Sequence, residues 1–176
     1  MIVVVYHSKT GSNKEIAETI YSFIQKKGVE VHIISVEEVE NNWKLISDAK
    51  GLILGCPTYF GGISSDFKKF MEKSSVFFPS QRWKDKYVTA FTCSGAPSGD
   101  KLGTLLQLFL YACQQGMIWV GLGTGYTNSK SEINRLGSWV GLMAQTTDDG
   151  KSKVYASDLK TAELLAERMI NIIEKK

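Results

Sequence analysis

Cysteine is scarce in this chain and its spacing is unpaired. Cys56, Cys93 and Cys113 are an odd set, which argues against a disulfide framework or a zinc site and leaves small packing residues as their expected role. Of the two histidines, His32 has no partner in sight, and His7, beside a strand end, reads as a packed or hydrogen-bonded residue. No serine–histidine–acid set, metal-ligand cluster or carboxylate pair emerges. Excess charge is also missing: a net +3, evenly spread, is too slight to suggest nucleic acid. No apolar run reaches the length of a membrane span, and the N-terminus enters a strand without a signal peptide's basic start, so a cytoplasmic protein with no membrane partner is expected. Linkers, repeats and low-complexity stretches are absent, and 176 residues at 43% apolar and 22% charged content fit one domain, 1–176.

What is present begins with Ser8-Lys9-Thr10-Gly11-Ser12-Asn13-Lys14, which joins the apolar run Ile2–Tyr6 to an amphipathic helix starting near Asn13. The first N–H groups of a helix have no internal partner, and its dipole leaves partial positive charge there, so a phosphate is favoured. Ser8, Thr10, Ser12 and Asn13 can add donors, and Gly11 lets the backbone curl. A dipole contributes about 2 kcal/mol at best, and hydrogen bonds to a charged group about 1.5–3 kcal/mol each. Immobilising the ligand offsets much of that, so a tight ligand needs a large apolar part as well. The segment alone is equally a helix cap, with Ser12 or Asn13 capping and Gly11 making the turn.

Apolar runs rich in β-branched residues recur at Ile2–Tyr6, Val29–Ser35, Gly51–Gly55, Tyr87–Thr92 and Met117–Gly121. Most are unbroken, as in strands covered on both faces of a parallel sheet. Helical patterns lie between them. Asn13–Lys27 carries Ile16, Ala17, Ile20, Phe23 and Ile24 on one stripe, and Ser65–Lys73 groups Phe67, Phe70 and Met71. Asp100–Gln115 carries Leu102, Leu105, Leu106, Phe109 and Cys113, and Ser157 or Asp158 can cap a last helix with Leu159, Ala162, Leu165, Ala166, Met169 and Ile173 inward. The alternation predicts an α/β fold, a doubly wound five-stranded parallel sheet of order 2-1-3-4-5 with helices on both faces. Ligands of such sheets bind beyond the carboxyl ends of the strands where the winding reverses, so the segments after strands one, three and four should be unusual. They are: Gly55-Cys56-Pro57-Thr58-Tyr59-Phe60-Gly61-Gly62-Ile63-Ser64 and Thr92-Cys93-Ser94-Gly95-Ala96-Pro97-Ser98-Gly99 are rich in small residues, and the first adds two adjacent aromatics. A planar, polar-edged ring could lie between them, read by backbone amides and covered by Tyr59 or Phe60. The charged loop after strand two reads as a solvated connection.

Competing motifs fail on context. Gly121-Leu122-Gly123-Thr124-Gly125 follows the last strand with no helix opening behind it, unlike a dinucleotide fingerprint. Cys56 at a strand end suggests a phosphatase nucleophile, but that chemistry needs an arginine closing the loop and position 62 is Gly. A receiver domain needs acidic residues at the end of strand one, and residues 5–9 contain none.

The three loops, in this order, resemble the flavin-mononucleotide (FMN) site of the flavodoxin superfamily, and Gly55-Cys56-Pro57-Thr58-Tyr59-Phe60-Gly61 closely resembles a segment of WrbA-type NAD(P)H:quinone oxidoreductases. The similarity runs from Ile2 to the final helix. It implies a flavodoxin-like fold in which Ser8, Thr10, Gly11, Ser12 and Asn13 hold the phosphate and Pro57, Thr58, Tyr59, Phe60 and Gly61 flank the isoalloxazine. Thr92, Cys93, Ser94, Gly95 and Gly99 would line the pyrimidine side and the ribityl chain. This chain has Gln114 where WrbA-type proteins tend to carry a histidine, and residues 135–143 depart from that family's glycine- and proline-containing run.

The implied activity is hydride transfer from NAD(P)H to FMN and of two electrons onward to a quinone or similar acceptor. The cofactor does such chemistry, so no catalytic side chain is expected; backbone N–H groups of Tyr59–Gly61 and of Ser94 and Gly95 would orient it and stabilise developing charge. One alternative is a flavodoxin-type one-electron carrier without its own nicotinamide activity; another is a flavin-free binding protein. Carriers of this fold are typically acidic around the flavin, whereas Lys9, Lys14, Lys68, Lys69, Lys73, Arg82, Lys84 and Lys86 surround these loops, which favours the reductase unless they form a solvated face. Trp83 and Trp119 read as core. Phe78 or Trp139, with Tyr126 nearby, reads as an interface residue of a homodimer or homotetramer, as the resemblance implies.

Overall fold

Ile2–Tyr6 (β1) is apolar on both faces because it lies inside the sheet. In the computed structural model, which describes residues 1–125, 132–147 and 153–175, β1 pairs in parallel with Val31–Ser35 (β2) and with Gly51–Gly55 (β3), Ile2 standing opposite Val31 and Gly51. A short antiparallel hairpin, Thr58–Tyr59 (β4) and Gly62–Ile63 (β5), stands apart from the sheet. Tyr87–Ser94 (β6) pairs with β3. Ile118–Trp119 (β7) pairs with the start of β6 and Leu142–Gln145 (β8) with its end, all in parallel. The sheet order is β2-β1-β3-β6 with β7 and β8 sharing the fifth position, which is the expected five-position order with two short strands in place of the single run Met117–Gly121.

Alternate residues of each strand feed two cores. Ile2, Val4 and Ile53 pack with Ile16, Ile20 and Ile24 of Ser12–Lys26 (α1). Leu165, Ala166 and Met169 of Ala156–Glu174 join the same core from the end of the chain. Val3, Val5, Leu52 and Leu54 pack on the opposite face with Ile46 of Trp43–Asp48 (α2), Phe67 and Phe70 of Ser65–Lys73 (α3), and Leu105 and Leu108 of Lys101–Gln114 (α4). Ala156–Glu174 is α5. Each full burial of such a side chain is worth about 1.5–3 kcal/mol, so the two layers dominate the fold's stability.

Three departures from the sequence reading have physical causes. The charged connection after β2 folds into a 3-10 turn, Val39–Asn41, and α2, because Val39, Trp43 and Ile46 form a stripe within it. Trp43 stacks on Phe70 with centroids 5.7 Å apart. In α4 the buried face is Lys101, Thr104, Leu105, Leu108, Tyr111 and Ala112, whereas Leu102 and Leu106, expected inward, are exposed together with Leu110 and Cys113. This helix is apolar nearly all round, so periodicity alone cannot choose its inner face. Asp158 does not cap α5, which begins after Tyr155 with no side-chain cap; the carboxylate turns inward instead. Trp83 is fully buried as expected, while Trp119 is only partly so. Among the described residues no helix is long and apolar enough to cross a membrane.

Candidate cofactor site

The first loop leaves β1 at His7 and enters α1 through Gly11. Gly11 has φ +96°, a left-handed conformation that favours glycine, and Lys153 Nζ stands 2.4 Å from where a Cβ would lie. Its N–H donates to Ser8 Oγ at 3.1 Å, and the hydroxyls of Thr10 and Ser12 are 3.3 Å apart. No side chain caps α1. Ser12 and Asn13, both buried, lie inside the first turn and do not act as caps; Gly11 makes the turn. Asn13 Oδ1 is buried without a hydrogen-bond partner. Such an orphan costs about 1–3 kcal/mol unless something supplies a donor. A ribityl hydroxyl would do so, and the amide turned over would present its N–H groups to a phosphate.

The second loop is tied down at its base. His7 Nδ1 lies 2.7 Å from Ser64 Oγ, which also accepts from Phe67 N as the N-cap of α3. Cys56 N donates to Phe91 O at 3.1 Å, and burial pushes its thiol up to about 11. His7 and Cys56 are therefore packing and positioning groups of the strand ends. Above them, Thr58 Oγ1 is 2.7 Å from both Thr92 Oγ1 and Thr104 Oγ1, a buried knot joining the hairpin to β6 and α4. The hydroxyls of Thr58 and Thr92 are engaged there, and both residues lie in strand ladders, Thr58 opposite Ile63 and Thr92 opposite Met143. At the tip, Phe60 (φ +49°) and Gly61 (φ +74°) are both left-handed, the pattern of a type I′ turn. A bulky side chain in that region costs on the order of 1–2 kcal/mol. Tyr59 is 40% exposed and Phe60 fully so, and α4 approaches so closely that a Cβ on Gly103 would stand 2.3 Å from Gly61 O.

The third loop begins where β6 ends at Ser94. Lys101, wholly buried, donates its ammonium to the carbonyls of Ala96, Pro97 and Ser98, fixing the curve of the loop, and burial pushes its pKa below the usual lysine range. Cys93 is held as a neutral thiol, pushed up to about 12 by burial. Ser94 Oγ is the second buried polar atom at these loops without a partner, and a Cβ on Gly99 would lie 2.7 Å from it.

The region after β7 supplies residues that the sequence reading missed. Gln145 donates to Gly95 O at 3.0 Å, and Thr146 N donates to Ser94 O at 3.2 Å. Gln145 is placed by Asp158, which accepts from its backbone N–H and from Arg135 Nη2, both at 2.9 Å. Arg135 also donates to Gln145 Oε1 at 3.1 Å and lies 4.4 Å over the Tyr155 ring. Nothing in their spacing marks these residues, which lie in the stretch the family pattern does not cover. A lysine on the inner side of an apolar helix is a signal that could have found Lys101.

The surrounding cations carry less information than their number suggests. Lys14, Lys68, Lys69, Lys73 and Arg82 pair with Glu18, Glu72, Asp66, Glu40 and Asp48, and Lys86 donates to backbone carbonyls. They are mostly a solvated, paired face, so the charge argument between reductase and carrier loses most of its weight. Gln114 lies at the far end of α4, about 20 Å along the helix from the loops, and lines a cavity of about 300 Å³ with Lys68, Met71 and Phe78. Phe78 and Trp139 are exposed, and Tyr126 lies outside the described residues. Among the described residues no group of His, Cys, Asp and Glu could hold a metal ion.

The chain is similar to known proteins over nearly its whole length. The family described as Flavodoxin domain matches residues 3–112. The chain is 33% identical to flavodoxin FldP of Pseudomonas aeruginosa, over 97% of this chain and 95% of that protein. It is 29% identical to an NAD(P)H dehydrogenase (quinone) of Archaeoglobus fulgidus, over 99% and 97%. The crystal structure of a flavodoxin, WrbA-like protein from Agrobacterium tumefaciens superposes with a TM-score of 0.79 at 33% identity, covering 99% of this chain and 97% of that one.

Proposed function

The chain belongs to the flavodoxin domain family, and from that membership we propose that it binds FMN across the three loops and passes two electrons from NAD(P)H to a quinone-like acceptor. The observation that carries the binding is the meeting, at the carboxyl ends of β1, β3 and β6, of an uncapped helix start, an outward aromatic hairpin and a loop bent around Lys101, with Asn13 Oδ1 and Ser94 Oγ buried and unpaired. Residues 8–13 would hold the phosphate, with Ser8, Thr10 and Ser12 adding hydroxyls to the backbone of Gly11 and Asn13. Pro57 and Thr58 would offer backbone, Tyr59, Phe60 and Gly61 would flank the ring, and Thr92, Cys93, Ser94, Gly95 and Gly99 would line its other side.

Bound FMN supplies hydride acceptance and delivery. The protein's part is orientation. The Thr58–Thr92–Thr104 knot fixes the hairpin, Lys101 and Gln145 fix the Gly95 loop, and backbone N–H groups of both would orient a ring held between them. Cys56 and Cys93 keep their protons and take no part as nucleophiles. NAD(P)H as donor and a quinone as acceptor are supported by relatives such as the Archaeoglobus protein. A one-electron carrier is the second reading, favoured by the relative named flavodoxin FldP. We further propose a homodimer or homotetramer.

Anaerobic titration of the FMN-loaded protein with NADPH and then NADH, followed by visible absorbance, tests the choice. Rapid bleaching by two electrons, reversed by a quinone, is expected of the reductase. FMN that binds yet ignores both nicotinamides and takes up electrons one at a time from a chemical reductant would establish the carrier. No FMN binding at all would remove the reading.

A further inference from the structure

Lys153 lies far along the chain from the first loop, yet its ammonium donates to Thr10 O at 2.7 Å and occupies the space over Gly11. It is brought there by a hairpin. Thr146 bridges Val154, Thr147 N donates to Lys153 O at 3.1 Å, and Tyr155 N donates to Gln145 O at 3.2 Å. Lys153 N in turn donates to Glu15 Oε2 at 2.9 Å, which anchors the hairpin to the first turn of α1. Among the described residues Lys153 forms no ion pair with a carboxylate within 4.0 Å.

Apart from the Glu15 carboxylate in the first turn, the helix start itself does not favour a cation here. The start of a helix carries partial positive charge, which favours anions and disfavours an ammonium. The placement becomes favourable once a dianion lies on the same turn, because the ammonium and the N–H groups then converge on one charge. The neighbouring Asn13 amide has its Oδ1 buried and unpaired, and turned over it would present N–H groups to an anion on this same turn.

We propose that Lys153 is the counter-cation of the bound phosphate, and that residues 153–155, paired with 145–147, strap it across the first loop. The inference rests on the FMN reading above and goes beyond it by adding a residue outside residues 8–13 and a specificity. The strap makes the site prefer a phosphorylated flavin over riboflavin by charge, and that preference depends on salt. Lys153 is exposed, so its contribution is moderate and screened, with a Debye length near 10 Å at about 0.1 M salt.

The test measures dissociation constants of FMN and riboflavin by quenching of flavin fluorescence, on apoprotein, for the native chain and for Lys153→Gln and Lys153→Arg, at low and at high salt. For Lys153→Gln, FMN affinity should fall about three- to tenfold at low salt, the loss should shrink at about 0.5 M salt, and riboflavin affinity should not move. Lys153→Arg should keep most of the native affinity. An equal loss for both flavins would mean that the strap acts by shape and not by charge, and would overturn the proposal. Unchanged or tighter FMN binding in Lys153→Gln would overturn it too, the latter showing that the ammonium blocks the loop. If the native chain binds neither flavin, the FMN reading fails first, so the two failures are distinguishable.

Discussion

The most informative residue is Phe60, a bulky side chain held at φ +49° and fully exposed. Strain of that kind persists where the surroundings over-determine it, and here the hairpin register and the close approach of α4 at Gly103 do so. Phe60→Gly should relieve it, raising stability by about 1 kcal/mol in urea denaturation. The same change should weaken FMN and riboflavin alike by several-fold, an aromatic contact being worth about 0.5–1.5 kcal/mol. A variant that loses stability would show that the turn is not strained. Thr10→Glu should discriminate between the two flavins, abolishing FMN binding by repulsion of the phosphate and sparing riboflavin; unchanged FMN affinity would remove the phosphate assignment. The buried thiols give a pH expectation. Cys56 and Cys93 titrate near 11 and near 12 when folded against 9.0 for a free thiol, so the folded state keeps protons that the unfolded state has lost. Their contribution is intact below pH 9 and is lost as pH rises toward 11–12, so stability should fall across that window. A thiol reagent at pH 8 should modify Cys113 alone until the protein is unfolded.

Among the elements, β8 depends most on a single contact. Asp158, 1% exposed, receives Arg135 through two nitrogens and caps Gln145 N, so the strand's position beside Ser94 and Gly95 is transmitted from α5. Asp158→Asn leaves Arg135 uncompensated, and a loss of about 3 kcal/mol is expected in equilibrium unfolding. Hydrogen exchange should quicken at Gln145 and Thr146 before the rest of the sheet; a uniform change would show that the pair does not position β8. This contact also marks the boundary of what the sequence discloses. The central strands are continuous apolar runs, and loops between such strands and helices announce themselves through small residues and hydroxyls, so β1, β3, β6 and the three loops were legible. The short α2 was hidden because charged residues surround its apolar stripe, and the inner face of α4 because leucines occupy both sides. The split fifth position was invisible, since two- and four-residue strands have no periodicity to detect. Lys153 and Gln145 reach the site through a hairpin whose register only the folded chain defines.

At the scale of the whole molecule, the exposed apolar surface is concentrated at one edge. Leu102, Leu106 and Leu110 recur every fourth residue along the outside of α4, all more than 40% exposed. Phe109 meets Trp119 edge-on at 5.6 Å, and Trp119 Nε1 donates to Val140 O, which places Trp139 and Ile118 at the same border. The exposed leucine row of α4 is the surface on which the proposed assembly would form. It extends past Gly103 to the hairpin, so a partner seated on it would stand beside Tyr59 and Phe60 and could shield one side of the flavin ring. In the proposed assembly that continuity would tie association to cofactor binding. The native chain should sediment at micromolar concentration as twice or four times its own mass, and Leu106→Glu, at a position with no buried neighbour role, should sediment as a monomer with an unchanged thermal midpoint for the apoprotein. In that monomer riboflavin and FMN should both bind several-fold more weakly, because the ring would have lost a wall while the phosphate loop is intact. A native monomer would sink the proposed assembly. A Leu106→Glu monomer that binds flavin normally would separate the two, leaving the patch as an interface with no part in the site.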